Sequence, residues 1–192
     1  MNDAMRRAAV VGDETNAKRL LSRGVDVNVV DDSGFSAFMY CCGQGHLVIA
    51  KLMITAGNAN IDDPDSKSPP LVLATNNGHV GIVRLLLEHG ATVDRNDELA
   101  RTPLLIACER GDEECARTLL SSGANPNATD RRGNTGLHQV AVSGDDRIAQ
   151  MLIDHGANHS TKNNERMTAL AIARSRRHFK VVSVLSTTTT RN

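Results

Sequence analysis

The 192-residue chain has almost no aromatic side chains. Phe35, Phe38, Tyr40 and Phe179 make up the whole set, and tryptophan is absent. An apolar fraction of 40% must therefore build its core from Leu, Ile, Val, Ala and Met. Net charge is missing as well: 22 basic side chains face 22 acidic ones. That balance argues against nucleic acid as the main partner, because phosphate binding calls for a basic excess. No apolar run approaches the roughly 18 residues needed to cross a bilayer, so no membrane partner is expected. The start Met1-Asn2-Asp3-Ala4 lacks the basic-then-apolar pattern of a secretion signal. The expectation is a soluble chain in the cytoplasm, with the nucleus also open to it.

Chemistry-bearing motifs are equally scarce. Cys41, Cys42, Cys108 and Cys115 match no zinc spacing and no C-x-x-C redox pattern, and read as reduced core thiols. There is no Gly-x-Ser-x-Gly, no phosphate loop, no His-Glu-x-x-His and no dinucleotide fingerprint. His155 and His159 lie four apart, but Gly156 between them breaks the helix that a metal-binding pair needs. No catalytic residue, cofactor site or metal site is assigned, and the chain is not read as an enzyme. Asn127-Ala128-Thr129 and Asn158-His159-Ser160 match the glycosylation sequon, which an intracellular chain does not use.

What the sequence has in abundance is repetition, which decides the fold before any local reading. Steps of 33 residues from Leu104 reach Met5, Phe38, Leu71, Leu137 and Leu170, all apolar. Seven residues later a glycine recurs at Gly12, Gly45, Gly78, Gly111 and Gly144, replaced by Arg177 in the last copy. A second glycine column runs Gly24, Gly57, Gly90, Gly123 and Gly156. Apolar pairs recur from Leu20-Leu21 to Leu152-Ile153, and no insertion breaks the sequence register.

Each unit has a physical reading. Ser36, Thr102, Thr135 and Thr168 precede apolar-periodic stretches, where a hydroxyl satisfies an orphan helix N–H. Pro70 and Pro103 follow at the first helical position, where the missing N–H costs nothing. A short helix runs to the first glycine, and a second helix carries the apolar pair. The second glycine is expected to end it in the left-handed conformation. A polar stretch such as Asn127 to Asn134 then turns like a hairpin into the next unit. One such unit cannot bury its apolar face, whereas stacked units can.

These features resemble the ankyrin repeat. The family's Thr-Pro-Leu-His-x-Ala pattern is matched by Thr102-Pro103-Leu104-Leu105-Ile106-Ala107 and Thr135-Gly136-Leu137-His138-Gln139-Val140, with Gly45-His46, Gly78-His79, Gly90-Ala91, Gly123-Ala124 and Gly156-Ala157. The resemblance implies an all-α repeat solenoid of about six helix-turn-helix units with hairpin-like turns. It forms a single domain, with units near 1–31, 32–63, 64–96, 97–129, 130–162 and 163–192. The first and last are atypical, as capping units of a complete array are.

The resemblance also implies a monomeric protein-interaction module, an adaptor or scaffold that docks a partner protein on a concave face and on the hairpin tips. The alternative is an inhibitory subunit of a kinase or transcription factor. On this chain the concave row includes Tyr40, Leu73 and Ile106, an apolar stripe. The first tips carry Asp31, Asp32, Asp63 and Asp65; later ones carry Arg131, Arg132 and Arg166. From residue 163 on there are six basic residues and one acidic one, so a partner of opposite polarity would be steered. His46, His79 and His178 share the turn between helices, and His138 is expected in an inter-unit hydrogen-bond network. Asn28 and Asn127 occupy the column that asparaginyl hydroxylases modify in some family members. In the hairpin column Gly34, Lys67, Ala100, Gly133, Arg166, a positive φ would cost each non-glycine about 1 kcal/mol. The hairpin at Asp62-Asp63-Pro64-Asp65 is expected to be the least regular.

Overall fold

A computed structural model of the chain describes residues 1–62 and 68–187, the last of these in backbone only. The expected irregular hairpin lies outside the described residues beyond Asp62, as do Asp63, Asp65 and Lys67. The architecture is an all-helical repeat solenoid. Among the described residues there is no strand, only an isolated antiparallel bridge between Lys162 and Thr168.

The chain divides into two compact units. Met1–Arg95 holds α1 (Asn2–Val11), α2 (Glu14–Leu21), α3 (Ala37–Gln44), α4 (Leu47–Gly57), α5 (Pro70–Asn76) and α6 (Val80–Glu88). In this unit α1, α3 and α5 pack in one row and α2, α4 and α6 in a second. Met5, Phe38, Ile49, Met53, Ile82 and Leu86 are closed off from solvent between the rows. The other unit, Asn96–Asn192, holds α7 (Pro103–Arg110), α8 (Glu113–Ser121), α9 (Gly136–Ser143), α10 (Asp146–Asp154), α11 (Ala169–Arg176) and α12 (Phe179–Thr187). It packs α7, α9 and α11 in one row and α8, α10 and α12 in the other. Leu104, Leu119, Leu137, Ile148 and Leu152 fill its core. Truncating any of these leucines to Ala removes buried methyls and leaves a cavity, at about 2–5 kcal/mol.

The expected start signals operate. The Ser36 hydroxyl accepts from Met39 N at 3.2 Å, Thr102 from Leu105 N at 3.3 Å and Thr168 from Ala171 N at 3.3 Å. Second helices without a hydroxyl cap use Asp13, Asp112 and Asp145, which accept from Asn16, Cys115 and Ile148 N. All four cysteines are unpaired and buried. Burial pushes the thiols of Cys41, Cys108 and Cys115 up to about 12.

Second helices end as expected in three copies after the first. The residue after the left-handed glycine closes a six-residue loop: Ala91 N donates to Leu86 O, Ala124 N to Leu119 O and Ala157 N to Leu152 O, at 2.9–3.0 Å. The exception is α4. It continues through Gly57, and the left-handed residue is Asn58, at φ 49°. Asn is the side chain that best tolerates this region. A Cβ on Gly57 would come within 2.9 Å of Leu21 Cδ2 and 3.1 Å of Val27 Cγ1. Glycine therefore serves there for close packing and not as the expected helix stop.

Candidate functional site

The turns between repeats carry exposed charges, and short side chains within each turn fix its backbone. Asp31 Oδ1 accepts the N–H groups of Ser33 and Phe35 at 2.9 and 3.0 Å. In the other unit Asp97 holds Leu99 and Arg101 N, Asp130 holds Arg132 and Asn134 N, and Asn163 holds Glu165 and Met167 N in the same way. These are Asx turns, in which a short side chain replaces a backbone acceptor. Each ends on a left-handed residue: Gly34, Ala100, Gly133 and Arg166, with φ between 59° and 80°. The expected positive φ of this column thus holds at both of its described non-glycines, Ala100 and Arg166.

A second device ties three of the turns to the next. Asn28 donates Nδ2–H to Asn58 O at 3.0 Å and accepts Asn60 N on Oδ1 at 2.7 Å. Asn127 does the same with Gly156 O and Asn158 N, at 3.1 and 2.7 Å. In the α4 repeat the role falls to Asp62, whose Oδ2 accepts Thr92 N at 3.0 Å and whose Oδ1 lies 3.6 Å from Arg95 Nε. The strict 33-residue step from Asn28 reaches Ile61. The brace has slipped by one residue because Asn58 replaces Gly57 as the left-handed cap. In all three cases the brace sits four residues after that cap.

The histidines form a third set of ties. His46 Nε2 lies 3.1 Å from Val10 O, His79 Nε2 3.0 Å from Gly43 O, and His178 Nε2 3.2 Å from Val142 O. His138 is 2% exposed. Its Nε2 faces Met167 O at 3.0 Å and so carries the proton, while Nδ1 accepts the Thr135 N–H at 3.1 Å. Burial lowers the pKa of this imidazole below its ordinary 6.5. Among the described residues no group of His, Cys, Asp and Glu could hold a metal ion.

The residues singled out from sequence fall in several environments. Tyr40 is half-buried. Its hydroxyl donates to Asp31 Oδ2 at 2.8 Å, and its ring lies 5.5 Å from that of Phe35. The Phe35 amide and this hydroxyl hold the Asp31 carboxyl below its usual range. Asp31 is thus engaged within its own turn, while Asp32 is exposed. Tyr40 also lines a groove of about 310 Å³ with Arg6, Arg7 and Val10. Leu73 is half-buried. Ile106 departs from the expected stripe: it is 1% exposed, within the continuously buried run Pro103–Cys108. A helix segment that is apolar all round packs inside, so Ile106 is core. Arg131, Arg132 and Arg166 are exposed.

In the second unit a groove of about 510 Å³ joins the turn tips to α11. Arg131 and Arg132 flank it with Arg176, and Val142, Met167 and Ile172 supply its apolar surface. Val142, Met167 and the amides of Asn163 and Asn164 escaped the sequence reading. The Asp-x-x-Gly spacing of the turns was the available signal for the asparagines, since Asn163 stands where the others have Asp31, Asp97 and Asp130.

The sequence profile for three copies of ankyrin repeats matches residues 5–97, 58–130 and 104–191. The chain belongs to the ankyrin-repeat family. Ankyrin repeats mediate protein–protein interaction. No curated protein sequence matches the chain. Among solved structures it is similar to an ankyrin repeat domain from Acinetobacter baumannii AYE, with TM-score 0.88, 28% identity and coverage of 95% and 96% of the two chains. It is also similar to a chain from the complex of a predatory endopeptidase from Bdellovibrio bacteriovorus with an immunity protein, with TM-score 0.85, 25% identity and coverage of 96% and 97%. The ankyrin domain of Bcl-3, a member of the IkappaB protein family, matches with TM-score 0.81 and 26% identity over 93% of this chain and 81% of that one. No helix among the described residues of this ankyrin chain is long and apolar enough to cross a membrane.

Proposed function

We propose that this ankyrin chain is an adaptor or scaffold that docks a protein partner on its turn tips and first-helix flanks. The contact groups in the first unit are Tyr40, Leu73 and Asp32; in the second they are Arg131, Arg132 and Arg166. The observation that carries the reading is the bracing of the tips. Exposed charges stand on turns whose backbone is held by Asp31, Asp130 and Asn163, so little ordering entropy is lost when a partner binds. The chain works as a monomer, without enzymatic activity.

The test is cross-linked capture from the source cells, comparing wild type with a Tyr40→Ala/Asp32→Lys variant and an Arg131→Glu/Arg132→Glu variant. Loss of one specific protein with either variant supports docking on the tips. Retention of the same proteins by both rejects it.

A second reading is stoichiometric inhibition of an enzyme. It is favoured by the similarity to a chain from an endopeptidase–immunity protein complex. Titrating the captured partner with this chain separates the two: activity falling to zero at equimolar ratio marks an inhibitor, and unchanged activity marks an adaptor.

A further inference from the structure

The groove of the second unit is lined by an excess of basic side chains. Four arginines of the chain form ion pairs: Arg6 with Asp3, Arg95 with Asp62, Arg101 with Asp97 and Glu109, and Arg147 with Glu113. Arg131, Arg132 and Arg176 border the groove without an ion-pair partner among the described residues, and Glu165 is its single acidic side chain.

The backbone carbonyls of Arg131 and Arg132 are held by the following turn. Asn164 Nδ2 donates to Arg131 O at 3.1 Å, and Asn164 N donates to Arg132 O at 2.9 Å. Asn163 Nδ2 donates to Asn134 Oδ1 at 2.9 Å, which locks the two successive turns together. Beside the cations lies apolar surface from Val142, which is 41% exposed, and from half-buried Met167 and Ile172.

We infer that this groove binds an acidic, extended segment of the partner protein, with carboxylates on Arg131, Arg132 and Arg176 and one apolar side chain between them. This deepens the interaction-module reading and rests on it. Two observations favour a peptide over nucleic acid. No aromatic side chain lines the groove to stack on a base. The apolar patch also suits a side chain better than a phosphodiester backbone. Planar guanidinium forks match carboxylates in bidentate geometry, and their fixed spacing gives register along the segment.

The probe is an acidic hexapeptide of Asp and Glu with a central Leu. It is added to the full chain and followed by two-dimensional amide NMR, which detects weak binding. Controls are the same peptide with Lys in place of every acid and a single-stranded oligonucleotide. Amide shifts clustered at Arg132, Asn164 and Arg176 are expected. They should weaken with salt and fall at least ten-fold in affinity in Arg131→Glu/Arg132→Glu and in Arg176→Glu, while Lys51→Ala, at an exposed position of α4, leaves them unchanged. Three outcomes overturn the inference: no clustered shifts, equal binding of the basic peptide, or preference for the oligonucleotide. If the peptide fails while cross-linked capture still yields a tip-dependent partner, the acidic segment falls and the interaction module stands.

Discussion

His46 lies directly over Gly12. Its Nε2 reaches Val10 O at 3.1 Å, and a Cβ on Gly12 would stand 2.6 Å from its Cε1. Gly45 and Gly144 stand under His79 and His178 in the same manner. Under Asp145, Gly111 has looser surroundings, at 3.6 Å. The histidine of one repeat thus demands a glycine in the repeat before it. Gly12→Ala should destabilise the chain by about 2 kcal/mol or more, from the left-handed backbone plus the collision. Gly24→Ala, with nothing within 4 Å, should lose only about 1 kcal/mol. In a His46→Ala background the two substitutions should become equal. Urea denaturation of the three single variants and the two doubles reads the coupling, and identical losses in the wild-type background would contradict it.

Glycine is absent where two turns call for it. Ala100 and Arg166 both have φ 59°. Ala100→Gly and Arg166→Gly should each raise stability by about 0.5–1 kcal/mol, the strain relief being partly offset by the freer unfolded chain. A lower melting temperature in both variants would exclude the strain argument.

The pH response of His138 has a definite sign. Its pKa in the folded chain lies below 6.5, so the unfolded chain binds the extra proton first as pH falls. Its contribution is complete above pH 6.5 and is lost as pH drops toward the folded value. Wild type should therefore lose stability between neutral and mildly acid pH faster than His138→Asn does. Parallel pH profiles for the two proteins would rule this out.

Much of this architecture could be read from the chain alone. The 33-residue columns locate the helices, the hydroxyl caps and the left-handed turns, including the turns that lack glycine. What they miss has physical causes. The slip in the α4 repeat hides because Gly57 stays in its sequence column while Asn58 takes its conformation. The clue was Gly57-Asn58-Ala59, where other repeats join Gly directly to Ala. Ile106 was misplaced because its position was read from the column alone. Its neighbours Leu104, Leu105, Ala107 and Cys108 leave that helix no polar side. The groove beside Arg176 depends on turns brought together across 33 residues, which no local pattern announces.

The braces between turns give a fourth expectation. Asn127→Ala removes both the bond to Gly156 O and the acceptor for Asn158 N. It should cost about 1–2 kcal/mol and speed amide exchange at Asn158 first. Asn28→Ala should act likewise at Asn60. Unchanged exchange at these two amides would show the braces to be dispensable.

The central claim is that the turn tips and the flanks beside them form the docking surface. Hydrogen–deuterium exchange of the chain, free and bound to its captured partner, tests it most directly. The account predicts new protection at the turns around residues 130–134 and 163–167 and in α11, with the second helices α8 and α10 unchanged. Protection confined to α8 and α10, with the turns as exposed as in the free chain, would contradict it.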